Sequence, residues 1–288
     1  MHTRKKILRG VAAVTTATFL TLALGLPAQA TTDVMTAEDL VNTAVATVGE
    51  TTALAFDPDV TYSSTTGVTA AGVNVDPVID TPTTTVGQPT TDGARVAEVL
   101  STSTAPKSYK YHVKGPAGSH LRLAEDGTVG VVTETSELVD GEQGTALNVH
   151  GTFKSPWAVD KRGVRLPATY SVVGDDLVMN VNTAGATFPV VADPSYVKGN
   201  YRVSWSWWHP FIVKLQANKT GSYWLAKGQS GACVALVFVP AIGAALAATC
   251  AISSIVDDIT ARYNYCIQFW FYYPGMVTKG YYQGGFCT

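Results

Sequence analysis

The sequence predicts an α+β protein in two parts: an N-terminal antiparallel β-sandwich-like domain, then a small C-terminal sheet covered by a disulfide-stapled helical hairpin. Three observations carry this expectation. From about residue 94 the chain runs in short apolar segments separated by Gly-Pro, Asp-Gly and Gly-x turns. Residues 228–256 carry no charge, are rich in Ala and Gly, and are broken at Pro240. All four cysteines, Cys233, Cys250, Cys266 and Cys287, lie in the last part of the chain.

Residues 1–30 read as a cleavable secretory signal peptide. Arg4, Lys5, Lys6 and Arg9 form a cationic start, residues 11–26 are uncharged, and Pro27-Ala28-Gln29-Ala30 supplies the small-x-small ending. Cleavage is expected between Ala30 and Thr31. An uncleaved anchor is the poorer reading, because a short, threonine-diluted run is weak material for crossing ~30 Å of hydrocarbon. A secreted, extracellular destination is oxidising, so an even cysteine count without a CxxC pair reads as disulfides rather than as metal or redox chemistry.

Residues 31–93 are expected to hold a short helix and a linker. The helix covers about 33–50, where Thr36-Ala37-Glu38-Asp39 places acidic residues in the first turn ahead of Leu40, Val41, Ala44, Val45 and Val48. Residues 51–92, rich in Thr, Pro, Gly and Ala, read as linker in preference to loosely specified edge strands.

The β domain is expected over 94–198. Tyr109-Lys110-Tyr111-His112-Val113, Leu121-Arg122-Leu123 and Val129-Gly130-Val131-Val132 are strand candidates, as are residues 147–153, 168–173 and 177–181. Gly174-Asp175-Asp176 joins the last two as a hairpin. Three motifs follow one another here: Ser155-Pro156-Trp157-Ala158-Val159-Asp160, Gly163-Val164-Arg165-Leu166-Pro167-Ala168-Thr169-Tyr170 and Phe188-Pro189-Val190-Val191-Ala192-Asp193-Pro194. In these, residues 94–195 resemble a β-domain of secreted, largely uncharacterised actinobacterial proteins. The resemblance implies a β-rich extracellular module ahead of a variable C-terminal part, and brings no catalytic residues.

Residues 199–288 form the second part. Tyr201, Val203, Trp205, Trp207, His209, Phe211, Val213 and Leu215 alternate with Arg202, Ser204, Ser206 and Lys214, which predicts one strand bent at Pro210. A second strand over 263–273, the turn Pro274-Gly275 and a third strand over 276–282 form a hairpin. The uncharged run is long enough for a membrane span, but a span starting outside would put Asp257 and Asp258 at its cytoplasmic mouth and Cys266 and Cys287 in a reducing compartment. A helical hairpin fits instead, one helix to residue 239 and another from about 244 to 262. Cys233 lies seven residues before Pro240 and Cys250 seven after Gly243, so antiparallel helices bring them level, ~10 Å from the turn at 1.5 Å per residue. Cys233–Cys250 and Cys266–Cys287 are therefore the expected pairs. The layout also resembles the C-terminal part of some of the same actinobacterial proteins.

Nothing in the chain assembles into chemistry, so no enzyme, cofactor or metal is expected. Gly228-Gln229-Ser230-Gly231-Ala232 comes within one residue of the G-x-S-x-G elbow, but residues 222–227 look helical where a buried strand is needed, which leaves a serine hydrolase at Ser230 a minor alternative. His112, His120, His150 and His209 stand singly. Asn218-Lys219-Thr220 matches a glycosylation sequon but reads rather as a helix-entry turn with Asn218 or Thr220 as cap. Trp205 and Trp207 share a parity with core residues, which leaves Trp208 as the candidate for stacking on a sugar ring. Eighteen of the 28 aromatic residues follow residue 198, and net charge runs from −10 over residues 31–198 to +4 after it. The leading expectation is a secreted, non-enzymatic protein that binds a cell-wall or envelope component, with no nucleic-acid partner. The alternative is a membrane-active or bacteriocin-like effector, with an acidic carrier and a cationic apolar C-terminal module.

Overall fold

A computed structural model describes residues 35–50, 60–63, 67–70, 72–78, 83–90, 93–139, 141–206, 208, 212–226, 231–250, 265–272 and 276–288. The signal segment, Ser230, Trp207, His209, Asp257, Asp258 and the Pro274-Gly275 turn lie outside the described residues.

Helix α1 (Ala37–Val48) starts where the acidic turn predicted it. Thr36 Oγ1 accepts from the Asp39 backbone N–H at 3.2 Å and Asp39 Oδ2 from that of Thr36 at 3.1 Å, a reciprocal cap that satisfies two otherwise unpaired donors. Strands β1 (Val60–Ser63), β2 (Gly67–Ala70), β3 (Val73–Pro77) and β4 (Thr84–Thr90) then occupy the stretch expected to be linker. Alternation there is carried by Val and Ala between threonines, with Val68, Ala70, Val73 and Val75 buried. Small apolar residues in a Thr-rich context thus hide a strand signature that composition alone reads as disorder.

Next come β5 (Gly93–Leu100), β6 (Ser108–Lys114), β7 (His120–Leu123), β8 (Val129–Val139), β9 (Glu142–Phe153), β10 (Trp157–Asp160), β11 (Arg165–Leu166), β12 (Ala168–Val173), β13 (Asp176–Val181) and β14 (Val190–Asp193). The chain ends with β15 (Ser195–Ser206), β16 (Ile212–Ala217), α2 (Lys219–Ala226), α3 (Gly231–Ala235), a 3-10 turn over Leu236–Phe238, α4 (Gly243–Thr249), β17 (Cys266–Tyr272) and β18 (Met276–Tyr282).

Every strand pair described is antiparallel. One sheet has six strands in the order β1-β2-β3-β6-β13-β12. The other has twelve: β11-β10-β14-β5-β15-β16-β17-β18, with β4 on β5, β9 on β15, β8 on β9 and β7 on β8. Their facing sides bury Val75, Tyr111, Leu177 and Met179 against Val96, Leu100, Phe153 and Tyr196, a sandwich core. On the outer face of the large sheet, Val41 and Val45 of α1 meet Trp157, Val159 and Val191. Among the described residues the helices are few and short, so the architecture is mostly antiparallel β with helical additions, and only in part the expected α+β layout.

The expected boundary at residue 198 falls inside β15. This strand pairs with β5 through residues 195–197, with β9 along most of its length and with β16 through Tyr201–Trp205. Its register against β9 shifts between Lys198 and Tyr201, where a Cβ on Gly199 would come within 2.1 Å of the Val149 carbonyl. Only glycine fits that close approach.

Residues 201–215 are two strands rather than one bent strand. Tyr201 faces Ala217 and Trp205 faces Val213, so odd residues oppose odd residues and the parity passes through the turn unchanged. An alternation that survives a hairpin is indistinguishable in sequence from a single strand. The second hairpin forms as expected, Cys266 facing Tyr282 and Tyr272 facing Met276.

The expected helical pair is seen in part. Its first arm ends at Phe238, the second covers Gly243–Thr249, and the rest of the expected second helix lies outside the described residues. Leu236, Phe238, Val239, Ile242 and Leu246 pack on Val203, Val213, Leu215, Phe269 and Phe271 of the sheet. A Cβ on Gly130 of β8 would lie 2.6 Å from the Phe238 ring, so this glycine is the seat for that side chain. Cys233–Cys250 and Cys266–Cys287 are disulfide-bonded, with Cα separations of 5.7 and 5.6 Å. No helix among the described residues is long and apolar enough to cross a membrane.

Candidate functional site

Two polar constellations stand out. The first lies beneath α1. Arg95 Nε is 2.9 Å from Asp193 Oδ2, and the Arg95 Nη2 also contacts Glu50, just beyond the helix. The guanidinium sits 5.9 Å from the Trp157 ring centroid, and Ser195 Oγ hydrogen-bonds Asp193. Burial pushes the Asp193 carboxyl up and the Arg95 charge pulls it back, leaving it raised to about 6. Arg95 Nη1, Asp193 Oδ1, Trp157 Nε1 and Tyr170 Oη are buried without hydrogen-bond partners. On the opposite side of β5, Glu98 accepts from Thr85 Oγ1 at 2.9 Å and Tyr111 Oη at 3.1 Å, and burial raises its carboxyl to about 7.

The motif residues belong to this framework. Trp157 faces Asp193 and Asp160 faces Val190 across β10 and β14, so the first and third motifs are neighbouring strands. Burial opposes ionisation of Asp160, but the backbone N–H groups of Thr187, Val164 and Arg162 and the Arg162 side chain outweigh it and hold the carboxyl at about 2. These carboxylates are committed to the fold: Asp193 closes an ion pair and Asp160 ties a turn. Sequence reading missed their partners, since Arg95 lies 98 residues from Asp193 and Glu50 lies 45 from Arg95.

The second constellation is a polar face of the C-terminal part of the large sheet. Helices α2–α4 cover the side bearing Val203, Val213, Leu215 and Phe269. The other side carries a continuous cross-strand row, Thr133–Asn148–Arg202–Gln216–Gln268–Gly280, one residue from each of β8, β9, β15, β16, β17 and β18. All six are half-buried, and Ser204 and Ser206 of the same face are buried. Gln216 Nε2 donates to Gln268 Oε1 at 3.4 Å. In the next row Lys214 lies 5.5 Å from the Trp270 ring centroid and 3.7 Å from Glu137 Oε1, while Arg202 pairs with Glu137 Oε2. Asn148 Oδ1, Arg202 Nε and Ser204 Oγ are buried in this face without hydrogen-bond partners.

No family model, curated protein or solved structure matches the chain.

Trp208 is 77 % exposed between β15 and β16, whereas Trp205 is 7 % exposed and packed in the core. The Trp208 backbone N–H donates to Ser206 Oγ at 3.1 Å, and Ser206 in turn donates to Glu142 at 2.6 Å. Asn218 caps α2, its Oδ1 accepting from the Gly221 N–H at 2.8 Å. Of the histidines, His112 does acquire an acidic neighbour: Nδ1 lies 3.0 Å from Asp176 across β6 and β13. Hydrogen bonding to His112 and to Lys110 holds the Asp176 carboxyl down. His150 bonds Thr133 at 2.8 Å, and burial lowers its basicity. No group of three His, Cys, Asp or Glu among the described residues could hold a metal ion. The polar row had a signal in sequence, the even-numbered Arg202, Ser204, Ser206 and Lys214, yet its continuation through Gln216 and Gln268 appears only once the hairpins are in register.

Proposed function

We propose that the protein is a secreted, non-enzymatic binding protein that attaches to a cell-wall or envelope component through its C-terminal part. The carrying observation is Trp208, 77 % exposed on a hairpin whose base is fixed by buried Trp205. A large exposed ring is suited to stacking on the apolar face of a sugar. The two disulfides and the export signature of residues 1–30 support an extracellular setting, as does the resemblance to secreted actinobacterial proteins.

The test is co-sedimentation of the mature protein with purified cell wall. Wild type should be retained and Trp208→Ala released, with unchanged melting temperature. Equal retention of both, or none of either, would remove the proposal. The effector alternative requires the stapled helices to withdraw Leu236, Phe238, Val239, Ile242 and Leu246 from the core. Dye leakage from anionic liposomes by the intact mature protein would favour it.

A further inference from the structure

We infer that the end of the large sheet where three hairpins reverse is a docking edge for the surface of a lipid bilayer, an inference that goes beyond wall binding and stands without it. A continuous row, Ser136–Thr145–Trp205–Val213–Phe271–Val277, crosses β8, β9, β15, β16, β17 and β18 in register. Beyond it the chain reverses three times, between β8 and β9, between β15 and β16 and between β17 and β18. Leu138, Trp208 and Met276 lie past the row, one at each reversal, and are 61, 77 and 57 % exposed; Val277, on the row, is 45 % exposed. Among the described residues, three of the four most exposed large apolar side chains thus meet at one end of one sheet. Single surface hydrophobes are ordinary, but a gathering of them marks a contact surface.

Charge selects the partner. Residues 203–213 and 263–278 contain no Asp, Glu, Lys or Arg, so the second and third reversals can enter a headgroup layer without stripping water from a fixed charge. At the first reversal Glu137 is within ion-pair range of Arg202 and Lys214, and Glu142 accepts from Ser206, so both acids beside Leu138 are engaged within the sheet. The sequence adds Asp140 to this turn and no cation, which gives the edge no pull towards anionic lipid in particular.

Residue type and arrangement point the same way. Tryptophan, with an apolar body and one N–H, settles at the boundary between membrane and water. The Trp208 backbone N–H already donates to Ser206 Oγ at 3.1 Å, so covering the ring does not strand that donor. A specific protein interface needs a closely packed apolar centre, whereas Leu138, Trp208 and Met276 stand on separate hairpin ends, spread over about 24 Å at the usual strand spacing. A fluid surface closes around each of them individually. Because the main chain of a sheet end cannot enter hydrocarbon with open N–H and C=O groups, the contact stays at headgroup depth and leaves the bilayer sealed.

The test is sedimentation of the mature, disulfide-intact protein with phosphatidylcholine vesicles, at about pH 8 so that His209 is neutral. Wild type should sediment without releasing trapped dye, and to the same extent when about one quarter of the lipid is phosphatidylglycerol and at about 0.05 and 0.5 M NaCl, a range over which screening lengths shrink severalfold. Trp208→Ala, Leu138→Ser and Met276→Ser should each weaken binding by about fivefold or more with melting retained. Brominated phosphatidylcholine should quench the fluorescence of wild type more than that of Trp208→Phe. No sedimentation, sedimentation that needs phosphatidylglycerol and vanishes in salt, or a loss confined to Trp208→Ala overturns the docking edge. So does a dimer in lipid-free light scattering that Trp208→Ala dissociates, since the edge then meets a second copy. Wall retention that depends on Trp208 without vesicle binding overturns the docking edge and leaves wall binding standing; vesicle binding without wall retention does the reverse.

Discussion

Arg95 of β5 and Asp193 of β14 form an ion pair at 2.9 Å with side chains 1 % and 0 % exposed, closed over by Trp157 and Glu50. A pair this deep contributes little net stability as a unit, but either half alone is a stranded charge. Arg95→Ala is expected to cost about 3–5 kcal/mol in urea denaturation. The double variant Arg95→Met with Asp193→Leu should recover much of that loss, since an apolar pair of similar volume leaves only Glu50, 28 % exposed and reachable by water, without its partner.

Glu98 sets a pH dependence of defined sign. Its folded carboxyl is raised from 4.5 to about 7, so folding favours the protonated form. Its stabilising contribution is full below about 4.5 and is lost as pH rises through about 7. The displacement corresponds to about 3 kcal/mol. Glu98→Gln should therefore flatten the decline in stability between pH 5 and 8, part of which remains with Asp193, raised in the same direction.

Asp160 acts in the opposite sense. Held at about 2 in the fold, it contributes above the ordinary aspartate range and loses that contribution as pH falls from about 3.8 towards 2. Melting temperatures measured across pH 5 to 2 should fall less steeply for Asp160→Asn than for wild type.

The Cys233–Cys250 bond closes a 17-residue separation between α3 and the end of α4. Replacing both cysteines with serine should cost about 3 kcal/mol by the chain-entropy relation for a loop near this length. Peptide mapping of the unreduced protein should return this link and Cys266–Cys287, and no crossed pairs.

The two neighbouring tryptophans should separate cleanly. Trp205→Ala empties a core position and is expected to cost about 3–5 kcal/mol. Trp208→Ala should change stability by no more than about 0.5 kcal/mol, as for exposed sites generally. Thermal denaturation of the two variants side by side checks this.

What the sequence made legible was local. The first helix with its acidic turn, the hairpin of β17 and β18 and both cysteine pairs followed from short-range spacing. What it concealed was registry between distant segments. The parity of residues 201–215 survives a chain reversal, so one strand and two look alike. Residues 60–90 bury Val and Ala among threonines, which composition cannot separate from a linker. On β5, Arg95 and Glu98 sit among eight consecutive buried residues, and their partners come from β4, β6, β14 and the end of α1. A buried charge announces itself only when its neighbours are known.

Strand β15 bears on whether the C-terminal part can ever be shed. A protease nicking the chain at 194–198 would cut one covalent link, yet the downstream piece would still be laced to β9 along Tyr201–Ser206 and pinned by Phe238 against Gly130. Two such fragments would travel as one particle through a sizing column and part only in denaturant, so liberation of a free C-terminal domain would demand unfolding rather than a cut.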